Sequence, residues 1–128
     1  MPLVVVVEDH PLQARLLRRA LSARLPGCEM EFYDDGLAAS QRLADPDGAA
    51  PDLLVLDLAV PGRSGHELLD ERAHDTRLAH VPAVVVTSSE ADADRDRSLA
   101  LGADLHLHKP VDADGFSRLA ERLAALIR

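Results

Sequence analysis

The chain contains the stretch LVVVVED at residues 3–9, in which five apolar residues are followed by two acids. A short, continuously apolar run of this kind is typical of a strand that is covered on both faces of a parallel sheet. Two further runs have the same character: residues 53–56 lead into Asp57, and residues 83–86 lead into Thr87. These three runs predict the central strands of a single sheet.

Segments with helical spacing of their apolar residues lie between the strand-like runs. This alternation is the signature of repeated βα units, which form a parallel sheet. Residues 28–33 and 104–107 alternate apolar with polar side chains, so we expect them to form the two edge strands. The predicted helices span residues 11–25, 36–44, 66–73, 91–101 and 113–127.

The length and charge of the chain limit its function. Its 128 residues suit one domain that buries roughly two-thirds of its unfolded surface, so we expect a single domain over residues 1–128 with no output domain. A formal charge of −8 argues against nucleic acid or an anionic membrane as partner. The lone Cys28 can form no internal disulfide, and the first apolar run is too short for a signal peptide or a membrane span. We therefore expect a cytoplasmic protein.

Polar side chains follow the predicted strands at their carboxyl ends. Glu8 and Asp9 follow the first strand, Asp57 the third and Thr87 the fourth. The fifth is followed by Lys109, the only lysine in a chain with thirteen arginines. Because open α/β sheets bind ligands beyond the carboxyl ends of their strands, these groups predict a crevice for a divalent cation and a phosphoryl group.

Three carboxylates at one edge of a sheet repel each other. At ~4 Å and an effective dielectric constant of about 20, each pair opposes folding by roughly 4 kcal/mol. Mg²⁺ is the expected counter-ion, with Mn²⁺ as an alternative, because Mg²⁺ takes oxygen ligands and is commonly held by one or two carboxylates and a phosphate. A structural role for Glu8 and Asp9, as caps of the helix that follows them, is compatible with metal binding.

These features together resemble the receiver domain of two-component response regulators, over essentially the whole chain. The matching residues, in order, are Glu8, Asp9, Asp57, Pro61, Gly65, Thr87, Lys109 and Pro110. Residues 84–90 and 109–116 are further similar to single-domain regulators associated with bacterial phytochromes. The resemblance implies a flavodoxin-like (βα)5 doubly wound parallel sheet with strand order 2-1-3-4-5.

The resemblance also implies a chemical role for Asp57. Its carboxylate would accept a phosphoryl group from a sensor histidine kinase, a bacteriophytochrome being one candidate. Asp9 and Asp57 would ligate Mg²⁺ together with the main-chain carbonyl of Ala59, and Glu8 would act through a bound water. The phosphorylated chain would then switch its interactions with other proteins.

The remaining matching residues would assist the phosphoryl transfer and change conformation in response to it. The resemblance implies that Thr87 and Lys109 contact phosphoryl oxygens and that the Lys109–Pro110 peptide bond is cis. A Tyr or Phe usually stands three residues before the lysine and swings inward with the threonine, but this chain has His106 there. Our hypothesis is that Thr87 and His106 form the switch and that the imidazole makes the output pH-sensitive. The alternative is an edge-strand histidine in solvent.

Other readings of the sequence remain open. The chain could be a degenerate receiver that binds partners regardless of phosphorylation. A phosphatase of the haloacid dehalogenase kind also uses an Asp nucleophile, but its general acid stands two residues further on, where Ala59 cannot donate a proton. Leu126 and Ile127 are apolar residues beyond those that one buried helix face needs. We therefore expect a homodimer through the fourth and fifth helices. The acids around Asp94 predict a solvated helix start.

Overall fold

The computed structural model describes residues 1–127, in which five strands alternate with five helices. Their bounds are β1 Leu3–Val7, α1 Pro11–Arg24, β2 Glu29–Tyr33, α2 Gly36–Ala44, β3 Leu53–Leu56, α3 Gly65–Ala73, β4 Ala83–Thr87, α4 Asp92–Ala100, β5 Leu105–His108 and α5 Ala113–Ala124. Each predicted element exists, and most boundaries lie at the predicted residue, while all but one of the others moved by one residue. The largest difference is at the end of α5, where the helix stops three residues before the predicted position.

All strand pairs in the sheet are parallel, and the strand order is β2-β1-β3-β4-β5. This confirms the predicted flavodoxin-like architecture. Every residue of β1, β3 and β4 is buried, as expected of central strands with helices on both faces. The edge strands β2 and β5 are half-exposed, in agreement with their alternating sequences.

Two apolar clusters form the core, one on each face of the sheet. Successive residues of β1 alternate between them: Val5 lies in one cluster and Val4 in the other. The first cluster includes the buried leucines of α2 and α3, and the second includes those of α1 and α5. Cys28 is half-buried against the second cluster. In contrast, α4 contributes only Ser98 to the buried residues.

Side-chain caps fix the start of most helices near the carboxyl edge of the sheet. Asp35 accepts hydrogen bonds from two backbone amides of α2, and Asp112 accepts one from Gly115 N at 2.8 Å at the start of α5. Ser64 and Glu67 form a reciprocal capping box at the start of α3, with distances of 3.1 Å and 3.2 Å. These caps satisfy amides that have no partner within the helix.

We expect Ser64→Ala to lower the free energy of unfolding by about 1 kcal/mol, the usual cost of losing an N-cap side chain. The substitution leaves the amide of Glu67 without the acceptor that Ser64 Oγ provides. Urea denaturation followed by circular dichroism measures the change. Ser117→Ala is the matched control, because Ser117 is exposed within α5 and should change stability by no more than a few tenths of a kcal/mol. Equal effects of the two substitutions would contradict the role of the cap.

Candidate functional site

The carboxyl ends of β1, β3, β4 and β5 surround an open crevice of about 570 Å³. Its lining includes Asp9, Asp57, Ala59, Thr87 and Lys109. These side chains come from distant parts of the chain and meet because parallel strands end at the same edge of the sheet. The structure therefore brings together the groups that the sequence predicts for this crevice.

Three carboxylates form a cluster at the crevice, which Asp9 and Asp57 line directly. One carboxylate oxygen from each of Glu8, Asp9 and Asp57 lies within 4.8 Å of the others. Glu8 and Asp57 are buried, whereas Asp9 is exposed at the crevice mouth. An all-oxygen set with one solvent-facing member fits a hard divalent cation that keeps some of its water.

Lys109 bridges two of these carboxylates from the opposite side. Its Nζ lies 2.7 Å from Asp57 Oδ2 and 2.8 Å from Glu8 Oε1. The lysine is held in place by its own backbone, because Lys109 N donates to Thr87 O at 2.9 Å beyond the last paired residues of β4 and β5. The single lysine of the chain thus supplies the positive charge that two buried acids require.

The expected cis bond between Lys109 and Pro110 is wrong for this structure. Residues 1–127 contain no cis peptide bond, so this bond is trans. The trans form is the lower in free energy for X–Pro bonds by about 0.5–1 kcal/mol. Lys109 reaches Asp57 and Glu8 in this geometry, and an inward-pointing lysine does not by itself require the cis isomer.

Burial and the ammonium group of Lys109 leave the two buried acids, Glu8 and Asp57, with pKa values shifted in opposite directions. Burial raises the pKa of Glu8 to about 7; Lys109 opposes this rise, and the nearby Asp57 carboxylate adds to it. Burial would also raise the pKa of Asp57, but hydrogen bonds from Lys109 and Glu8 outweigh it and hold that pKa below its ordinary value. Asp57 is therefore the ionised member of the pair, the form that a nucleophile needs.

The backbone around Asp57 is held by close packing. A Cβ atom on Gly65 would lie 2.5 Å from Asp57 O, so only glycine lets α3 start this close to β3. Gly65 N also donates to Leu58 O at 3.2 Å. Within the loop, Ala59 N donates to Asp57 Oδ1 at 3.3 Å and orients the carboxylate. Ala59, whose main-chain carbonyl is an expected metal ligand, lines the crevice.

Thr87 ends β4, and His106 lies on β5, the strand that pairs with β4. Thr87 is 2% exposed, and its Oγ1 accepts from Ser89 N at 3.2 Å, so its hydroxyl hydrogen remains available to a ligand in the crevice. His106 is half-buried and its Nδ1 lies 2.9 Å from Ser98 Oγ. His106 is thus half-exposed on the edge strand and bonded to α4, and its role as a switch residue stays a prediction.

Several groups near the crevice were not predicted as site residues. His66 and Gln13 line the crevice, and Ser89 Oγ donates to Asp94 Oδ2 at 2.6 Å. The predicted helix start is confirmed, because α4 begins at Asp92 with Asp92 and Asp94 in its first turn, although Asp94 itself is half-buried and bonded. The cap of α1 is His10 and not Glu8 or Asp9, whose side chains face the cluster. The spacing of residues along the sequence does not predict such contacts, because they join side chains from different elements.

We expect the free energy of unfolding of the metal-free protein to fall as pH rises, because the buried Glu8 becomes ionised. Because the pKa of Glu8 is raised from 4.5 to about 7, its contribution is fully present below pH 4.5 and is lost as pH rises through about 7. Glu8→Gln removes this titration, so the variant should gain stability relative to the wild type between those pH values. Urea denaturation in EDTA at a series of pH values measures the difference.

Glu29→Gln is the control for that series, because Glu29 is exposed on β2 and its side chain makes no hydrogen bond within residues 1–127. Its stability relative to the wild type should stay constant over the same pH range. A constant difference for Glu8→Gln as well would contradict a raised pKa at Glu8.

The sequence pattern of the response regulator receiver domain matches residues 4–121. The chain belongs to the response regulator receiver domain family. Receiver domains interact with histidine kinases and bind a divalent metal ion, in agreement with the carboxylate cluster. The resemblance inferred from the sequence is thereby confirmed.

The sequence similarity to other response regulators extends over most of the chain. The probable methanogenesis regulatory protein FilR2 of Methanothrix harundinacea is 31% identical over 124 residues, which are 94% of this chain and 80% of FilR2. The response regulator Rcp1 of Synechocystis sp. is 32% identical over 90 residues, covering 67% of this chain and 61% of Rcp1. The chain spans about half the length of several other curated relatives, so their further activities are not transferred to it.

Solved structures of phytochrome-associated receivers share the fold. The Mn²⁺-bound form of Rcp1 has a TM-score of 0.88 at 26% identity, and phosphorylated RcpA, a cyanobacterial phytochrome response regulator, has 0.87 at 25%. Each comparison covers 98% of this chain and 93% of the other. This receiver therefore resembles the phytochrome-type regulators to which residues 84–90 and 109–116 are similar.

Some expectations about the receiver stay predictions. Among residues 1–127, no helix combines the length and apolarity that a bilayer crossing requires. The cytoplasmic location and the absence of an output domain are not tested by this observation. The homodimer is also untested, and Leu126 and Ile127, which suggested it, pack partly against the receiver's own second core cluster.

Proposed function

We propose that this receiver accepts a phosphoryl group on Asp57 from a phosphohistidine of a sensor kinase, and that the modified protein changes its interactions with other proteins. The observation that carries the proposal is the contact of Lys109 Nζ with Asp57 Oδ2 at 2.7 Å inside a cluster of three carboxylates. An ionised, positioned carboxylate beside a fixed cation is the arrangement that phosphoryl transfer requires.

Asp57 is the nucleophile in this proposal. A carboxylate oxygen forms a bond to phosphorus while the bond from phosphorus to the kinase imidazole nitrogen breaks, and that nitrogen keeps the electron pair. Lys109 moves its hydrogen bonds from the free carboxylate toward a phosphoryl oxygen. Thr87 donates its hydroxyl hydrogen to another phosphoryl oxygen while Ser89 N continues to donate to Thr87 Oγ1. All four groups line or border the same crevice.

The donor set fits Mg²⁺ as the metal of the crevice. Asp9, Asp57 and the main-chain carbonyl of Ala59 would hold it, and Glu8 would act through a water. Held by these residues, the cation would offset negative charge on the transferring group. Oxygen ligands with an exposed member suit Mg²⁺ and also allow Mn²⁺.

Incubation with acetyl phosphate tests the proposal without a kinase. We expect the intact mass to rise by one phosphoryl group in the presence of Mg²⁺ and to stay unchanged when EDTA replaces the metal. A mass that stays constant with Mg²⁺ present would favour the degenerate receiver, which binds partners regardless of phosphorylation.

The rival phosphatase is tested by turnover. We expect no continuous release of phosphate from small phosphate esters, because Ala59 offers no side-chain proton to a leaving group. Sustained turnover that is abolished by Asp57→Asn would replace the switch by an enzyme. A slow release that follows a single phosphorylation event per chain is autodephosphorylation and agrees with the switch.

The kinase partner proposed here is of the bacteriophytochrome type, and the receiver would act in the cytoplasm without nucleic acid or membrane contacts. Support comes from the likeness to Rcp1 and RcpA in sequence and fold. Phosphotransfer profiling against a panel of purified, autophosphorylated kinases measures the preference. We expect the fastest transfer from phytochrome-type kinases, and a uniform or opposite order would contradict this assignment.

A further inference from the structure

Arg97 of α4 is a second basic side chain in the crevice. The chain has thirteen arginines, and within residues 1–127 Arg97 is the one that lines the crevice. Lys109 lines it too, but its Nζ already contacts Asp57 Oδ2 at 2.7 Å and Glu8 Oε1 at 2.8 Å. The positive charge of Lys109 is therefore committed to the buried acids, whereas the role of the Arg97 charge is open.

The fold does not use the guanidinium of Arg97. The residue is exposed, and among residues 1–127 its side chain forms no ion pair and donates no hydrogen bond. Arg63 differs, because it lies in the loop before α3 and pairs with Glu71 at 3.3 Å. Arg95 differs as well, because it lines a separate cavity beside β5. Arg97 is thus the arginine that remains available to a ligand in the crevice.

The direction of α4 explains how Arg97 reaches the crevice. The helix begins at Asp92, just beyond the carboxyl end of β4, and Arg97 lies in its second turn. Side chains on a helix lean toward its amino terminus, which here is the end nearest the crevice. Asp94, three residues earlier and therefore a neighbour on the helix surface, lines the crevice too. Its Oδ2 accepts from Ser89 Oγ at 2.6 Å, so it is bonded to Ser89 and not to Arg97.

Arg97 and the metal-binding acids lie on opposite sides of Asp57. Asp9 precedes α1, which packs on one face of the sheet, and α4 is bonded to α3 of the other face through His66 Nε2 and Ser98 Oγ at 2.9 Å. Asp57 follows β3, which lies between β1 and β4 in the sheet. A phosphoryl donor placed over Asp57 would have the carboxylate cluster on one side and Arg97 on the other.

The charges of the crevice show why this arginine matters to an anion. The chain carries a formal charge of −8, but distant charges are screened beyond about 8 Å at physiological ionic strength, so the local charges decide. A divalent cation and Lys109 together would at most neutralise the three carboxylates of the cluster. Asp94 adds a fourth carboxylate to the lining. Without Arg97, the crevice would present a net negative charge to an incoming anionic donor.

We propose that Arg97 is a donor-binding and specificity-determining residue, whose guanidinium attracts the dianionic phosphoryl group of a small acyl phosphate into the crevice. The inference rests on the proposed function, because the donor must then transfer its phosphoryl group to Asp57. The attraction grows with the charge of the donor, so the receiver prefers a dianionic donor to a monoanionic one. Because Arg97 is exposed, salt weakens this preference.

A structural role for Arg97 gives a different result. Basic residues in the last turn of a helix stabilise it through the helix dipole, and Arg97 is the basic residue in the last turn of α4. A substitution that only weakened the helix would lower the free energy of unfolding. It would not change the choice between two small donors.

The comparison of two phosphodonors tests the proposal on the full chain. Phosphorylation by acetyl phosphate, a dianion at neutral pH, and by phosphoramidate, a monoanion, is followed by intact mass at saturating Mg²⁺. We expect Arg97→Gln to lower the rate constant with acetyl phosphate about threefold, the size typical of one exposed ion pair. The loss with phosphoramidate should be about 1.7-fold, because half the charge gives half the interaction free energy. At about 1 M salt, where the Debye length is about 3 Å, Arg97→Gln and the wild type should have equal rates.

Two further variants separate charge from other effects. Arg95→Gln removes the same charge from the same helix outside the crevice, and it should leave both rate constants unchanged. Arg97→Lys keeps the charge and should retain most of the rate with acetyl phosphate, which also tests the proposal if Arg97→Gln disturbs the fold. An equal loss with both donors, a wild-type rate in Arg97→Gln at low salt, or a loss in Arg97→Lys as large as in Arg97→Gln would overturn the proposal.

The same experiment separates this inference from the proposed function. Absence of phosphorylation of the wild type by either donor would defeat the acceptor role of Asp57, and the role of Arg97 with it. Phosphorylation that is indifferent to Arg97 would leave the acceptor intact and defeat the donor-binding role alone.

Discussion

Asp57→Asn is expected to reduce phosphorylation by acetyl phosphate to background. The amide lacks the anionic oxygen that attacks phosphorus, and no other group can replace it, since Glu8 carries a raised pKa and Asp9 is exposed at the crevice mouth. The fold should persist, because an amide oxygen can still accept from Ala59 N as Asp57 Oδ1 does. Intact-mass spectrometry after incubation with acetyl phosphate and Mg²⁺ measures the effect.

Asp47→Asn is the matched control for that substitution. Asp47 lies exposed in the loop between α2 and β3, and its side chain makes no hydrogen bond in the described residues. Its phosphorylation should equal that of the wild type. Continued phosphorylation of Asp57→Asn at the wild-type rate would mean that the acceptor lies elsewhere.

Lys109→Met is expected to slow phosphorylation by about 100-fold or more, the usual cost of removing one preorganised donor from a developing anion. The substitution keeps a long side chain but removes the ammonium that contacts Asp57 and Glu8. Mg²⁺ affinity should be retained or increased, because a competing positive charge has left the carboxylate cluster. Stopped-flow kinetics and a Mg²⁺ titration measure the two effects separately.

A loss of rate without a loss of Mg²⁺ affinity distinguishes a catalytic role from a structural one. A lysine that only held the fold together would, on removal, lower the rate and the Mg²⁺ affinity together. Arg122→Met removes an exposed positive charge of α5 and should change neither quantity. An unchanged phosphorylation rate in Lys109→Met would contradict its contact with the phosphoryl group.

Strand order and the crevice could be predicted because the responsible signals are local. The apolar runs before Glu8, Asp57 and Thr87 identify buried parallel strands, and parallel strands bring their carboxyl ends together. The convergence of the acids with Lys109 follows from that rule and from the family resemblance. Alternation at residues 28–33 likewise identified an edge strand, which the half-exposed β2 confirms.

The contacts of α4 could not be predicted from sequence patterns. Its sequence is strongly polar, and its hold on the sheet comes from Ser98 between His66 and His106 rather than from an apolar stripe. The spacing of apolar residues cannot predict that a serine forms hydrogen bonds with two histidines distant in the sequence. The isomer of the Lys109–Pro110 bond was also beyond the sequence, because cis and trans X–Pro differ by only about 0.5–1 kcal/mol and tertiary context decides between them.

The most direct test of the central assignment locates the phosphoryl group on the chain. The protein is phosphorylated with acetyl phosphate and Mg²⁺ and reduced with sodium borohydride, which converts an aspartyl phosphate into homoserine, and its peptides are sequenced by mass spectrometry. We predict homoserine at position 57 alone, and only when Mg²⁺ is present. Homoserine at another position, or its absence with Mg²⁺ present, would contradict the account.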